Sequence, residues 1–485
     1  MQTRGHGVHL KGDCIETFEY AILGQGAAAF SAAIKANRLG IRTVMIGKNV
    51  TKGAVLGGTC INVGCVPSKR LITVSTFAEE LRKRRFAGVG YEISSIDYAK
   101  IAEEKDRLVN ELRNEKYENV LEALENVTYI EEIGSFADKN TIRAGRNEIN
   151  AKNILIATGA KAAVPAINGI EKASYLTNED ALSLKELPQS LIVVGGRALG
   201  LEFAQLFAKL GVEVTLLQRS SRIIPNWEPE ISEHLATYLK ESGVNIATNV
   251  TLASIDTKNG LTAIAARVGG KEIAFEANEV LFATGRSANT EGLNLDAANV
   301  GSNEKGFVKV DSKLMTTADN IYAAGDVTGE PMLETLAAKE GNVATSNIFE
   351  KANREINMNE VPSAIFTYPE AAMVGLTEEQ TVKHKIKCNC SPIKFEFVAK
   401  AAIVGDTRGV IKIVIDNDTK RILGVHILAP HAADLIHEGV LAVKFGLTID
   451  DIIDTVHVFP TLSEGFKLAA QSFYSDLNNL SCCTE

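Results

Sequence analysis

The chain carries the same punctuated signal twice. Residues 19–23 are a short apolar run, followed by Gly24-Gln25-Gly26-Ala27-Ala28-Ala29 and an alanine-rich stretch of helical composition. Residues 191–194 are a second apolar run, followed by Gly195-Gly196-Arg197-Ala198-Leu199-Gly200 and the apolar segment 201–210. A β-branched run follows each, at 42–46 and at 213–217. Strand, glycine turn, helix, strand is the unit that sets a pyrophosphate on a helix N-terminus, because the glycines let backbone N–H groups approach it. One such string is weak; two in matching context predict two dinucleotide sites.

Further strand-to-turn signals lead into Thr158-Gly159, Thr284-Gly285-Arg286 and Gly325-Asp326. They predict a return of the chain to the first domain after the second. Residues 97–126 are charge-rich, with apolar Ile101, Leu108, Leu112 and Leu124, and read as an amphipathic helix. Beyond residue 355 the glycine fingerprint is absent, and strands at 410–415 and 421–428 precede helices. The expected fold class is α/β: two Rossmann-like dinucleotide-binding domains plus a C-terminal α+β domain. The expected boundaries are 1–160 and 284–355 for the first domain, 161–283 for the second and 356–485 for the third.

A length of 485 residues accommodates about three domains, and 45% apolar residues let each bury a core. The net charge of -9, without a basic tract, argues against nucleic acid or an anionic membrane as partner. No apolar run approaches the roughly 20 residues of a membrane span. The N-terminus is polar and lacks the apolar core of a secretory signal. Seven cysteines, six of them in the close pairs 60/65, 388/390 and 482/483, suggest thiol chemistry in a reducing compartment. A cytoplasmic protein is expected.

The most informative stretch is Gly57-Gly58-Thr59-Cys60-Ile61-Asn62-Val63-Gly64-Cys65-Val66-Pro67-Ser68-Lys69. Two thiols across a short loop meet if the chain turns between them, and Gly64 eases that turn. A helix starting near Cys65 favours its thiolate. The spacing is not Cys-x-x-Cys, and no second Cys/His cluster completes a zinc ribbon.

This string closely resembles the redox-active segment of the flavoprotein disulfide reductases. With both glycine fingerprints, the resemblance runs from about residue 18 to the C-terminus. It implies an FAD domain, a nicotinamide domain inserted into it and a C-terminal domain that forms the dimer interface. It implies that Cys65 is the thiolate beside the flavin and Cys60 the exchanging thiol, with Lys69 paired to Glu202 near the flavin N5. Gly24, Gly26, Ala29, Gly58, Thr59, Lys69, Thr158, Gly159 and Asp326 would contact FAD, Asp326 at the ribityl chain. Gly195 and Gly200 would hold NADPH.

Three departures narrow the resemblance. Disulfide reductases of this family carry His-Pro-Thr-x-x-Glu near the C-terminus, and its His is the acid/base of thiol exchange. Here the string is Phe459-Pro460-Thr461-Leu462-Ser463-Glu464, and phenylalanine cannot move a proton. His457 lies upstream, off that register. A disulfide product leaves a thiolate that needs a proton; a reduced metal ion does not. Second, the chain ends Leu480-Ser481-Cys482-Cys483-Thr484-Glu485. Adjacent cysteines form a strained ring when oxidised, so they stay thiols, suited to carrying a soft cation. The stretch 464–473, the Cys-Cys tail and Asp406-Thr407-Arg408-Gly409 resemble the mercuric reductases, a branch of the same family. That resemblance implies reduction of Hg(II) by NADPH through FAD, with Hg(II) held by Cys60 and Cys65 after delivery by Cys482 and Cys483. It also implies a homodimer whose active sites are shared across the interface. Third, only a short segment with the single Cys14 precedes the first strand, so a core form without the N-terminal metal-binding domain is expected. A dihydrolipoyl-dehydrogenase-like or glutathione-reductase-like enzyme, or a thiol-based metal-binding protein on this fold, are the alternatives.

Two positions depart from the dinucleotide pattern. Gly47 stands where an acidic residue about 20 positions after the first glycine would hold the FAD ribose; backbone or Lys48 would replace it. Gln218 stands at the matching register of the second unit, followed by Arg219 and Arg222. A neutral residue followed by guanidinium groups favours the 2′-phosphate of NADPH. Cys388 and Cys390 lie on one face of a strand and read as a secondary thiol site or as ordinary strand residues.

Overall fold

A computed structural model describes residues 16–48, 56–83, 85–90 and 92–479. The chain divides into two compact units. The first contains Met1–Ser68, Glu103–Ala163 and Gly285–Ile356; the second contains Lys69–Ala102, Val164–Thr284 and Asn357–Glu485.

The first unit is built on a sheet in which Val127–Ile130, Thr43–Ile46, Glu16–Leu23 and Asn147–Ile156 lie side by side and parallel. Ile321–Ala323 joins Asn147–Ile156 in parallel, and Thr141–Ala144 and Gly134–Phe136 extend the sheet as antiparallel strands. The chain therefore does return to this sheet after the second fingerprint. The parallel strands read as continuous apolar runs because both faces are covered. On one face lies Ala27–Arg38, whose buried side consists of Ala28, Ala29, Phe30, Ala32, Ala33 and Ala36. Small side chains there let Glu334–Phe349 pack closely, and at Gly341 a Cβ would run into the Ala28 carbonyl. Lys35 and Arg38 in the last turn complement the helix dipole.

The second unit contains a parallel sheet in the order Val244–Ala247, Glu213–Leu217, Ser190–Val194, Glu279–Phe282. Ala198–Lys209 lies between two of these strands in sequence and is buried along most of its length. Val250–Lys258, Leu261–Val268 and Lys271–Ala277 form an antiparallel meander. Its two-residue turns are Asn259-Gly260 (φ 52° and 78°) and Gly269-Gly270 (φ 58° and 83°). Both residues of each turn are left-handed, the backbone that matches the twist of paired strands. A five-stranded antiparallel sheet, Ser363–Ile365, Glu370–Gly375, Ile422–Ala429, Val410–Asp416 and Cys388–Lys394, carries the C-terminal helices. Within it Lys412 is fully buried. Its Nζ donates to Glu228, Glu230 and Glu378 at 2.9, 2.9 and 2.8 Å. Buried charge of that kind survives only when paired.

The amphipathic segment folds as Tyr98–Arg113, then loosens into a π-turn, Asn114–Glu118, before Asn119–Glu122. Among the described residues no helix is long and apolar enough to cross a membrane.

Candidate active site

Gly57 and Gly58 enter the thiol segment with φ of 106° and 71°. They start the short helix Gly58–Val63, which carries Cys60. Gly64 ends it, where a Cβ would lie 2.8 Å from the Thr59 carbonyl oxygen, so a side chain would force the loop open. Helix Cys65–Lys83 then begins on the second cysteine. A thiol in the first turn of a long helix sits in the positive end of its dipole.

Both cysteines are free thiols. Among the described residues they form, with Glu334, the one group of three potential metal ligands whose donor atoms all lie within 4.8 Å of one another. Cys60 Sγ donates to Glu334 Oε2 at 2.6 Å. Tyr117, carried by the π-turn, donates from Oη to Glu334 Oε1 at 3.4 Å. The Cys65 sulfur, then burial, then the Glu334 carboxylate push the Cys60 thiol far above its ordinary range. Burial raises Tyr117 as well, helped by the Glu334 charge. Glu334 and Tyr117 carry no motif, and the sequence reading missed both.

The thiol segment abuts the first glycine turn, because a Cβ on Gly58 would lie 2.7 Å from Gly26 Cα. Gly24 has φ 140° and no room for a Cβ against the Ala157 carbonyl. Gly26 stands at the N-cap of helix Ala27–Arg38 and supplies no side-chain cap, and the N–H groups of a first helical turn have no intrahelical partner. Ala29 is fully buried. Nearby in the same unit, Thr158 Oγ1 and Arg286 Nε are buried without a hydrogen-bond partner. Asp326 lies 3.8 Å from Arg286 Nε, and burial pushes its carboxyl above the usual carboxylate range. Glu340 Oε2 accepts the Gly325 N–H at 2.6 Å and fixes the turn before Asp326. At Gly47 the carbonyl accepts from Tyr129 Oη at 2.7 Å, and Lys48 Nζ lies 3.7 Å from Glu132.

In the second unit Gly195 (φ 119°) leaves no room for a Cβ against the Ala283 carbonyl, nor does Gly200 against the Gly195 carbonyl. Arg197 takes the N-cap position without a side-chain cap bond. Gln218 ties the turn together. Its Oε1 accepts from Gly196 N at 3.1 Å and Arg219 N at 3.2 Å, and its Nε2 donates to the Arg222 carbonyl at 3.1 Å. The two arginines expected to act together differ. Arg219 is exposed, whereas Arg222 donates from Nη2 to the carbonyls of Pro225 and Trp227 at 2.8 and 3.1 Å. Its guanidinium is bound to its own loop.

Lys69 Nζ lies 2.7 Å from Glu202 Oε2 and over the Phe366 ring. Cys65 and Lys69 share one helix, a turn apart. Phe459, at the acid/base register of the disulfide reductases, is half exposed. His457 bonds Glu438 Oε1 at 2.8 Å through Nε2. Cys388 and Cys390 are half-buried on Cys388–Lys394, and burial and the nearby Glu378 push the Cys390 thiol upward. Cys14, Cys482 and Cys483 lie outside the described residues.

Residues 18–341 match the family described as pyridine nucleotide-disulphide oxidoreductase, and residues 361–470 match its dimerisation domain. The chain is 41% identical to a mercuric reductase of Staphylococcus aureus, with 96% of this chain and 84% of that protein covered. It is 37% identical to one of Streptomyces lividans, with 96% and 98% covered. Among solved structures, a Cu(II) complex of the HOCl-induced flavoprotein disulfide reductase RclA of Escherichia coli superimposes with a TM-score of 0.85. That pair shares 29% identity over 95% of this chain and 100% of the other. With two glycine-built nucleotide turns and a free thiol pair against one of them, the chain belongs to the pyridine nucleotide-disulphide oxidoreductase family.

Proposed function

We propose that this protein reduces Hg(II) to elemental mercury with electrons from NADPH, using FAD and the Cys60–Cys65 pair. The observation that carries the reading is the free thiol pair, its sulfurs within 4.8 Å, on a segment whose Gly58 touches the first glycine turn. Phe459 in place of the disulfide reductases' acid/base histidine supports a metal ion over a disulfide as electron acceptor. The identities of 37–41% to mercuric reductases support the same substrate.

The first unit's cradle fits FAD. The uncapped helix at Gly26 offers N–H groups to a pyrophosphate, and the orphaned Thr158 Oγ1 and Arg286 Nε are polar atoms that a polar ligand would satisfy. Asp326 would bind the ribityl hydroxyls. Bound FAD supplies the two-electron relay between nicotinamide and thiols. Residues 1–160 and 284–355 would form its domain, and 161–283 the NADPH domain. There Gly195 and Gly200 open the pyrophosphate turn and exposed Arg219 reads the 2′-phosphate. Lys69, fixed by Glu202, would place its cation near the flavin N5.

Cys60 and Cys65 bind Hg(II) as thiolates and release two protons to solvent. The two electrons that convert Hg(II) to Hg(0) originate on NADPH, and both sulfurs end as they began. Residues 356–485 would form a homodimer. Leu441, Phe445, Val456, Val458 and Phe459 are apolar and exposed within the segment that matches the dimerisation domain. The Cys482-Cys483 tail would then deliver Hg(II) to the partner's pair.

Single Cys60→Ala and Cys65→Ala variants test the reading. Each should abolish Hg(II)-dependent NADPH oxidation while FAD stays bound. Steady turnover in either variant would move the chemistry elsewhere.

A further inference from the structure

We infer that Glu334 supplies a third, oxygen ligand to a cation held by Cys60 and Cys65, which extends the pair's reach from two-coordinate Hg(II) to borderline divalent cations of the Zn(II) and Cd(II) kind. The inference rests on the proposed role of the pair as the metal-holding centre and adds a specificity-determining residue to it.

The two sulfurs and a Glu334 oxygen lie mutually within 4.8 Å. A tetrahedral ion with sulfur ligands at about 2.3 Å sets its donor atoms about 3.7 Å apart, so small side-chain rotations close the set. Glu334 is held for this task. It stands in the first turn of the sixteen-residue helix Glu334–Phe349, where a carboxylate complements the dipole. Tyr117 Oη donates to its Oε1, which leaves Oε2 directed at Cys60. A ligand carboxylate anchored through its other oxygen is the usual arrangement around a bound cation.

The donor chemistry decides which ions gain. Hg(II) is satisfied by two sulfurs in line and needs no oxygen. Zn(II) and Cd(II) need at least three protein ligands and accept thiolate and carboxylate together. Cys65 and Glu334 are exposed, so a fourth position remains open to water. Binding exchanges two thiol protons for two metal–sulfur bonds and one metal–oxygen bond; the protons go to solvent and no electrons move. Such ions are held but not reduced, and they compete with Hg(II) for the pair.

The test uses the FAD-loaded protein with the Cys60–Cys65 thiols reduced and the flavin oxidised, kept anaerobic and titrated separately with cadmium chloride and with Hg(II) buffered by a small thiol. Metal–thiolate absorbance reports binding, flavin absorbance reports folding, and no turnover is required. In Glu334→Gln the ratio of Cd(II) to Hg(II) affinity should fall at least about tenfold, the value of one charge-assisted ligand contact. Glu334→Asp, which keeps a shorter carboxylate, should recover part of that loss. An unchanged ratio in Glu334→Gln, with Hg(II) still bound, overturns the role of Glu334 alone. Failure of the wild-type pair to bind Hg(II) would sink the reading of the pair beneath it as well.

Discussion

Lys69 Nζ lies 2.7 Å from one oxygen of Glu202, and the other oxygen accepts the Phe366 N–H at 2.9 Å. Glu202 is buried on helix Ala198–Lys209, so its charge depends on these two partners. Lys69→Met removes one of them and leaves a buried carboxylate half satisfied. The expected loss is about 1–3 kcal/mol, seen as a lower urea midpoint at unchanged slope. A midpoint equal to wild type would show that the pair contributes nothing to stability.

The Cys60 thiol sits beside the Cys65 sulfur and the Glu334 carboxylate, both of which resist its ionisation. In the reduced protein, alkylation of Cys60 should therefore stay slow at neutral pH and rise only in alkali. Glu334→Gln removes one negative neighbour, lowers the thiol's ionisation range and accelerates alkylation at any fixed pH below it. Mass spectrometry of the modified peptide reads the rate. Slower alkylation in the variant would reverse the sign assigned to Glu334.

Arg219 and Arg222 should separate cleanly. Arg219→Ala should raise KM for NADPH roughly tenfold or more, matching the loss of a charge-assisted phosphate contact of about 1.5–3 kcal/mol, with KM for NADH nearly unchanged. Arg222→Ala should loosen the loop at Pro225 and Trp227 and affect both nucleotides alike. A cofactor-selective effect at Arg222 would place it on the phosphate.

Burial raises the Asp326 carboxyl. Its charged form is the disfavoured one in the folded apoprotein, so the group weakens the fold above its raised ionisation point. That cost disappears as pH falls through that point toward the ordinary carboxylate range. FAD-free Asp326→Asn should be more stable than wild type near pH 7, and the gain should shrink toward pH 4. A gain that grew on acidification would contradict the burial argument.

The parts legible in the sequence were those a local rule enforces. Gly24 and Gly195 occupy backbone that L side chains rarely adopt, and Gly64 a spot where a Cβ has no room. Helix Cys65–Lys83 starts on the cysteine that the glycine announces. The meander escaped notice although Asn259-Gly260 and Gly269-Gly270 are strong hairpin signals. Glu334 could not be read: it meets Cys60 across 274 positions of chain, and one glutamate at a helix start is ordinary. The bonds from Arg222 Nη2 to the carbonyls of Pro225 and Trp227 depend on which way a loop turns, and charge pattern alone does not encode that.

The most direct measurement of the central claim is NADPH oxidation by the purified FAD-loaded protein with three acceptors: Hg(II) buffered by excess thiol, oxidised glutathione and lipoamide. Phe459 at the acid/base register and the Cys60–Cys65 pair predict sustained, Hg(II)-dependent oxidation with release of volatile mercury, and little turnover with either disulfide. Turnover with lipoamide or oxidised glutathione but not with Hg(II) would contradict it.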